Sequence, residues 1–332
     1  MLVPLRLPCI FTKCSVSEVR RADCGRQPEA EQQPAGEALG RDTRTVSPNL
    51  RLRVGCVFTF DVPGPSFALI QVAARRGESP RVLEETWQLQ PEAEITSFTD
   101  LYGNLNRRAV LGLGPARLRY DAQVEVPDVA DDMAEDAGQI PVEALPGEVT
   151  HFLLPSRYCL SDALMGTAWE LFGTTTPGWA RAQAISDWVN GHLAFRYGAS
   201  DRLTTAVDAF ERKEGVCRDF THLFITFCRA LNLPARYVFG YLPDIYVEPP
   251  DAPMDFAAWA EVYLGDRWWT FDPRNNRRRV GRVVIGRGRD AADVSMVTTW
   301  GPATFKSLEV WADLNPTKAV DFAGTPTTGP RT

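Results

Sequence analysis

Residues 215–234 read GVCRDFTHLFITFCRALNLP, and residues 254–276 read MDFAAWAEVYLGDRWWTFDPRNN. In the first stretch Val216, Phe220, Leu223, Phe224, Phe227 and Leu231 recur at helical spacing and stop before Pro234. That pattern predicts a mostly apolar helix, central to its domain. Cys217 falls at or near the first turn, where partial positive charge and unpaired N–H groups favour thiolate, the nucleophilic form. A cysteine on an apolar helix also reads as a small core residue, and Cys228, further along nearly the same face, is read that way. In the second stretch Gly265-Asp266 separates two strand-like runs, which predicts a two-residue turn with Leu264 opposite Arg267. Extending that register sets Trp259 opposite Asp272 and Ala257 opposite Arg274, with residue 257 the diagonal neighbour of Asp272. A His on one strand, oriented by an Asp on the next and facing a Cys at a helix start, is the Cys-His-Asp arrangement of nucleophilic catalysis.

Working outward, helical signals run from residue 153. Ser161 is read as the cap of a helix carrying Leu164, Met165, Ala168, Leu171 and Phe172, with Gly173 as its stop. A second helix opens at Pro177, carries Ile185, Trp188 and Val189, and ends near Gly191. Runs 236–242, 258–264 and 267–272 look like consecutive strands. Residues 149–312 are therefore expected to form an α+β domain, helices packed on an antiparallel sheet. Before it, Leu118, Tyr120, Ala122, Val124 and Val126 alternate with polar residues. With turn signals at Pro63-Gly64-Pro65 and Gly103-Asn104, this predicts an all-β, sandwich-like domain over 49–127. The acidic run in 128–148 reads as a solvated linker without the Gly and terminal Glu of a calcium loop. Residues 1–48 read as a disordered leader and 313–332 as a flexible tail.

The chain has 332 residues, 44% hydrophobic, and a net charge of −6. This argues against a general electrostatic attraction to nucleic acid or anionic membranes. No apolar run approaches the roughly 18 residues of a spanning helix. Seven cysteines form no C-x-x-C pair, so a disulfide framework is not expected, and the setting is read as reducing and cytoplasmic. No zinc-ligand spacing, phosphate loop or dinucleotide fingerprint is present, so neither metal nor cofactor is expected.

The sequence resembles the bacterial transglutaminase-like proteins of the papain-like superfamily. The resemblance rests on FLLPSRYCLSD (152–162), FRYGASDRLTTAVDAFERKEGVCRDFTHL (195–223), LNLPARYVFGYLPD (231–244), the 254–276 stretch and VGRVVIGRGRDAADV (280–294). FTDLYGNLNRR (98–108) is similar to the N-terminal β domain such proteins commonly carry. The resemblance covers roughly residues 50–312 and implies a transglutaminase-like core with Cys217 as nucleophile and Asp272 as third triad member. The family's catalytic His belongs to a D-F-H-A-W segment, and here that segment is Asp255-Phe256-Ala257-Ala258-Trp259. Ala257 cannot accept a proton, and loss of the base lowers rate by orders of magnitude.

The three histidines offer no replacement. His222 lies about 140° around the helix from Cys217 and about 7.5 Å along it. His192 is read as capping or packing near a helix end, and His151 as structural. Trp259 and Arg274 are the candidate substrate-binding residues. The seven arginines between 274 and 289 interleave with Val280, Val283, Val284 and Ile285, so they read as paired or solvated charges. Two functions follow. One is thiol-based acyl transfer, or hydrolysis of a peptide or protein carboxamide, weakened by Ala257. The other is a catalytically inactive module that uses the cleft to bind a peptide or partner protein.

Overall fold

The computed structural model describes residues 5–7, 49–77 and 79–314. The rest of the expected leader and nearly all of the expected tail, with Cys9, Cys14 and Cys24, lie outside the described residues. In chain order the strands are β1 (Leu5–Leu7), β2 (Asn49–Val62), β3 (Ser66–Ile70), β4 (Arg81–Gln90), β5 (Thr96–Thr99), β6 (Leu105–Leu111) and β7 (Gly114–Pro127). There follow helices α1 (Gly147–Thr150), α2 (Met165–Phe172) and α3 (Trp179–His192), strand β8 (Ala194–Phe195), α4 (Ala206–Arg212), β9 (Glu214–Gly215) and α5 (Cys217–Ala230). The chain closes with β10 (Ala235–Tyr241), β11 (Ala257–Leu264), β12 (Arg267–Phe271), β13 (Val283–Gly288), β14 (Val297–Trp300) and β15 (Thr304–Asp313).

The second half is α+β. Helix α5 is buried along its whole length and lies against the antiparallel sheet β12-β11-β10-β13. The hairpin register is the expected one: Leu264 faces Arg267 and Ala260 faces Phe271. The ladder stops there, so the Trp259–Asp272 and Ala257–Arg274 pairings extrapolated from sequence are not made. Pro273, which has no N–H to donate, stands two residues beyond the last paired position. Helix α2 starts at Met165 without a side-chain cap, so the cap expected from Ser161 is not used. Helix α4 went unread in the sequence, although Thr205 and Asp208 form a reciprocal capping box at its start.

The first half is all-β, with sheets β15-β2-β7-β4 and β1-β14-β3-β6-β5. Two of these strands come from the far end of the chain. β14 pairs with β3 and β15 with β2, so 297–313 joins the β region and not the core to which the expected 149–312 boundary assigned it. Strand β15 offers apolar residues to a sheet edge that β2 would otherwise leave unpaired. β1 pairs with β14, which places Leu5–Leu7 of the expected leader in a strand. The acidic stretch 128–148 is solvated at Asp132, Glu135 and Asp136 but anchored to the core at residues 130 and 131. Asp131 accepts Arg282 Nε at 2.8 Å and the Arg279 N–H at 2.9 Å, and Ala130 bridges to Val280. The two halves share one apolar cluster. Phe58 of β2 stacks on Phe256 at 6.4 Å, and Tyr241 donates to the Val72 carbonyl at 2.9 Å.

Candidate active site

The start of α5 is built by residues 215–219. The Val216 N–H donates to Asp219 Oδ2 at 2.8 Å, so the third helical residue folds back onto the cap. That approach requires glycine at 215, where a Cβ would stand 2.7 Å from the Asp219 Cβ. Arg218 and Asp219 form a buried ion pair at 3.1 Å, and Arg218 also donates to the Asp201 carbonyl at 2.7 Å. Cys217 is thereby fixed as the first helical residue. Its own N–H and that of Arg218 belong to the first turn, which has no intrahelical acceptors.

Cys217 is 4% exposed and borders a cleft of about 580 Å³. Ala257, Ala258, Arg274 and Asn275 line the same cleft, closed on one side by Phe195 and Tyr197 and on another by the proline-rich segment 243–254. Burial pushes the Cys217 thiol up to about 12. Arg274 opposes that push, Asp255 adds to it, and the Ala258 N–H, a donor to sulfur, again opposes it. In this site burial works against the thiolate expected at a helix start and outweighs the Arg274 guanidinium. Cys228 lies fully buried, its thiol raised well above the ordinary range by burial.

Asp272 is 6% exposed and set back from the cleft. Its Oδ1 accepts the Asn275 N–H at 3.1 Å. Its Oδ2 accepts Asn275 Nδ2 at 2.8 Å and Arg282 at 2.9 Å. Asn275, which borders the cleft, thus holds the carboxylate through both its backbone and its side-chain N–H groups. Arg274 does reach the cleft, its guanidinium 4.3 Å from the Phe195 ring centroid. Trp259 does not. It is 1% exposed, packed with Val238 and Val284 beneath the Arg282 guanidinium, and so cannot touch a substrate.

None of the histidines borders the cleft. His222 is fully buried, accepts the Ala291 N–H at 3.1 Å through Nε2 and stacks on Tyr158. His192 meets the Phe210 carbonyl at 2.9 Å, and His151 packs on Phe152. The arginine run is largely spent on ion pairs: Arg279 with Asp244, Arg282 with Asp131 and Asp272, Arg287 with Glu261, Arg289 with Asp293. Among the described residues no cluster of His, Cys, Asp and Glu suits a metal ion, and no helix is long and apolar enough to cross a membrane.

One cleft residue went unread in the sequence. Asp255 borders the cleft, and its carboxyl is raised to about 7 by burial, opposed by the Phe256 N–H at 2.7 Å and by Arg274. The available signal was its parity with residue 257, two positions along an extended segment.

Comparison with known proteins agrees with this architecture. The core of the transglutaminase-like superfamily matches residues 167–273. A crystal structure of a proposed cysteine protease from Cytophaga hutchinsonii is 32% identical, with a TM-score of 0.74, over 84% of this chain and 95% of that one. An uncharacterized protein of Mycobacterium leprae is 32% identical over 116 residues, 34% of this chain and 41% of that protein. One from Mycobacterium tuberculosis is 37% identical over 114 residues, 31% of this chain and 35% of that protein. The match thus spans well under half of these mycobacterial relatives. From the helix start, the hairpin and the relative matched along nearly its whole length, the chain belongs to the transglutaminase-like superfamily.

Proposed function

We propose that this protein binds a peptide or protein segment in the 580 Å³ cleft and carries out slow acyl transfer or amide hydrolysis through Cys217. The observation that carries the reading is a sulfur held at the first turn of a buried helix and opening on a cleft, with alanine at the position of the base. Attack by sulfur on a carboxamide carbon would place the developing oxyanion near the first-turn N–H groups of α5, where the helix terminus favours negative charge. Arg274 would hold a substrate carboxylate or carbonyl. Asp272, engaged by Arg282 and Asn275, would serve the fold of the site more than its proton traffic. Loss of the imidazole lowers the rate by about 10²–10⁴ relative to an intact nucleophile–base pair.

The test is hydroxamate formation from a glutamine-containing peptide and hydroxylamine. The expected result is slow turnover that Cys217→Ala abolishes. A second reading, peptide binding without turnover, is favoured by the full commitment of Asp272 to other partners. Peptide binding with no hydroxamate, even after Ala257→His, would select it.

A further inference from the structure

We propose that Asp255 is the proton acceptor for Cys217, taking the place of the missing imidazole; this rests on the acyl-transfer reading above. The geometry comes from strand alternation at the entry to β11. Phe256 turns into the core against Phe58, Phe239 and Tyr241, at 6.4, 4.9 and 5.1 Å between ring centroids. Residues 254 to 258 all border the cleft into which Cys217 opens; with the Phe256 ring turned to the core, Asp255 and Ala257 fall on the opposite side, and the Ala258 N–H donates to the sulfur. A carboxylate at 255 therefore enters the same space as a side chain at 257, from one strand period away.

Its surroundings leave it available. Among the described residues Asp255 makes no ion pair, and its carboxylate accepts one hydrogen bond, from the Phe256 N–H. The other cleft carboxylates are differently placed: Asp244 is paired with Arg279 at 3.0 Å, and Asp313 is exposed at the end of β15. Arg274 faces both Asp255 and the sulfur from the loop after β12, and Asp219 faces the sulfur from α5 itself. Tyr197, after β8, has its phenol raised by burial, and Tyr246 is exposed and bonded to Asp128. Burial outweighs the Phe256 N–H and the charge of Arg274 and brings the Asp255 carboxyl to about 7, the range of an ordinary imidazole, so a substantial fraction is ionised at neutral pH.

In the acylation step the Cys217 S–H proton passes to an Asp255 oxygen, directly or across one water, while the sulfur electron pair forms the S–C bond. Collapse of the tetrahedral adduct breaks the C–N bond, and the departing amine takes the proton back from Asp255. In the second half an incoming water or amine gives its proton to Asp255 as it attacks the thioester. The S–C bond then breaks, and sulfur recovers that proton.

The experiment follows acetylation of Cys217 in the full chain by p-nitrophenyl acetate, as p-nitrophenol release between about pH 5 and about pH 9, with Cys217→Ala as the blank. The rate should rise through an inflection near pH 7 in the parent protein. Asp255→Asn should lower the neutral rate at least about tenfold and remove the inflection, and Asp255→Glu should restore part of both. Asp255→Asn in an Ala257→His background should keep most of the rate that Ala257→His shows. An Asp255→Asn protein with rate and inflection intact overturns the assignment alone. So does equal loss in the Ala257→His background, because that marks a structural role. A parent rate no higher than the Cys217→Ala blank overturns the acyl-transfer reading and this assignment with it.

Discussion

The start of α5 and the start of β11 face one cleft and have met opposite fates. At the helix start every supporting contact is present: Gly215 admits Asp219, Asp219 holds the Val216 N–H and Arg218, and Cys217 is presented as the first helical residue. At the strand start the scaffold is equally well anchored, with Phe256 buried between the two halves of the molecule, yet the position to which the family resemblance assigns the base holds a methyl group. The difference is one of energetic role. Contacts at the helix start hold the fold together, whereas a catalytic side chain in a cleft contributes little to stability and can be lost without unfolding the chain.

The largest effect expected is at the helix start. Asp219→Ala leaves Arg218 buried without its carboxylate and the Val216 N–H without its acceptor. It should cost about 3–5 kcal/mol in urea unfolding, and a loss below about 1 kcal/mol would remove Asp219 as the keystone of that turn. Next, Ala257→His restores an imidazole to the cleft. Cys217-dependent acetylation should rise by about 100-fold at neutral pH, and a rate no higher than the parent's would mean that the strand start lacks nothing. Third comes the pH dependence of stability. Because burial raises the folded Asp255 carboxyl to about 7, above its unfolded value, the folded state binds the proton more tightly. Its contribution is full below about pH 4 and is lost as pH rises through about 7. Asp255→Asn does not titrate, so it should be more stable than the parent at about pH 8, on the order of 2 kcal/mol once the partial exposure of the carboxyl is allowed for, with no advantage at about pH 4. Parallel stability curves would show that Asp255 is solvated. The smallest effect belongs to the rim. Tyr246→Phe removes an exposed hydrogen bond to Asp128 and should change the unfolding free energy by less than about 0.5 kcal/mol.

Much of this was legible one segment at a time. The apolar repeat from Val216 to Leu231 announced α5, and Gly265-Asp266 announced the hairpin with Leu264 opposite Arg267. The extension of that register to residue 257 was not made, because the ladder ends at Ala260 and Phe271. What stayed hidden involved partners distant in the chain. Trp259 read as a cleft aromatic because its strand parity matches residue 257, but Val238, Val284 and Arg282 close over it. Asp131 read as part of a solvated run because the groups that donate to it lie about 150 positions away, at Arg279 and Arg282.

Periodicity, turn chemistry and the G-V-C-R-D start were enough to establish the α+β core, its β-rich companion and the cysteine at the helix tip, since each depends on neighbours within a few residues. Folding settled the rest. It sent 297–313 back to pair with β2 and β3, and it turned Asp272 toward Arg282 and Asn275. It also withdrew water from Cys217 and Asp255 together. Proton affinity in a cleft depends on solvent exclusion and on charges brought from several elements, and no single stretch of chain contains either.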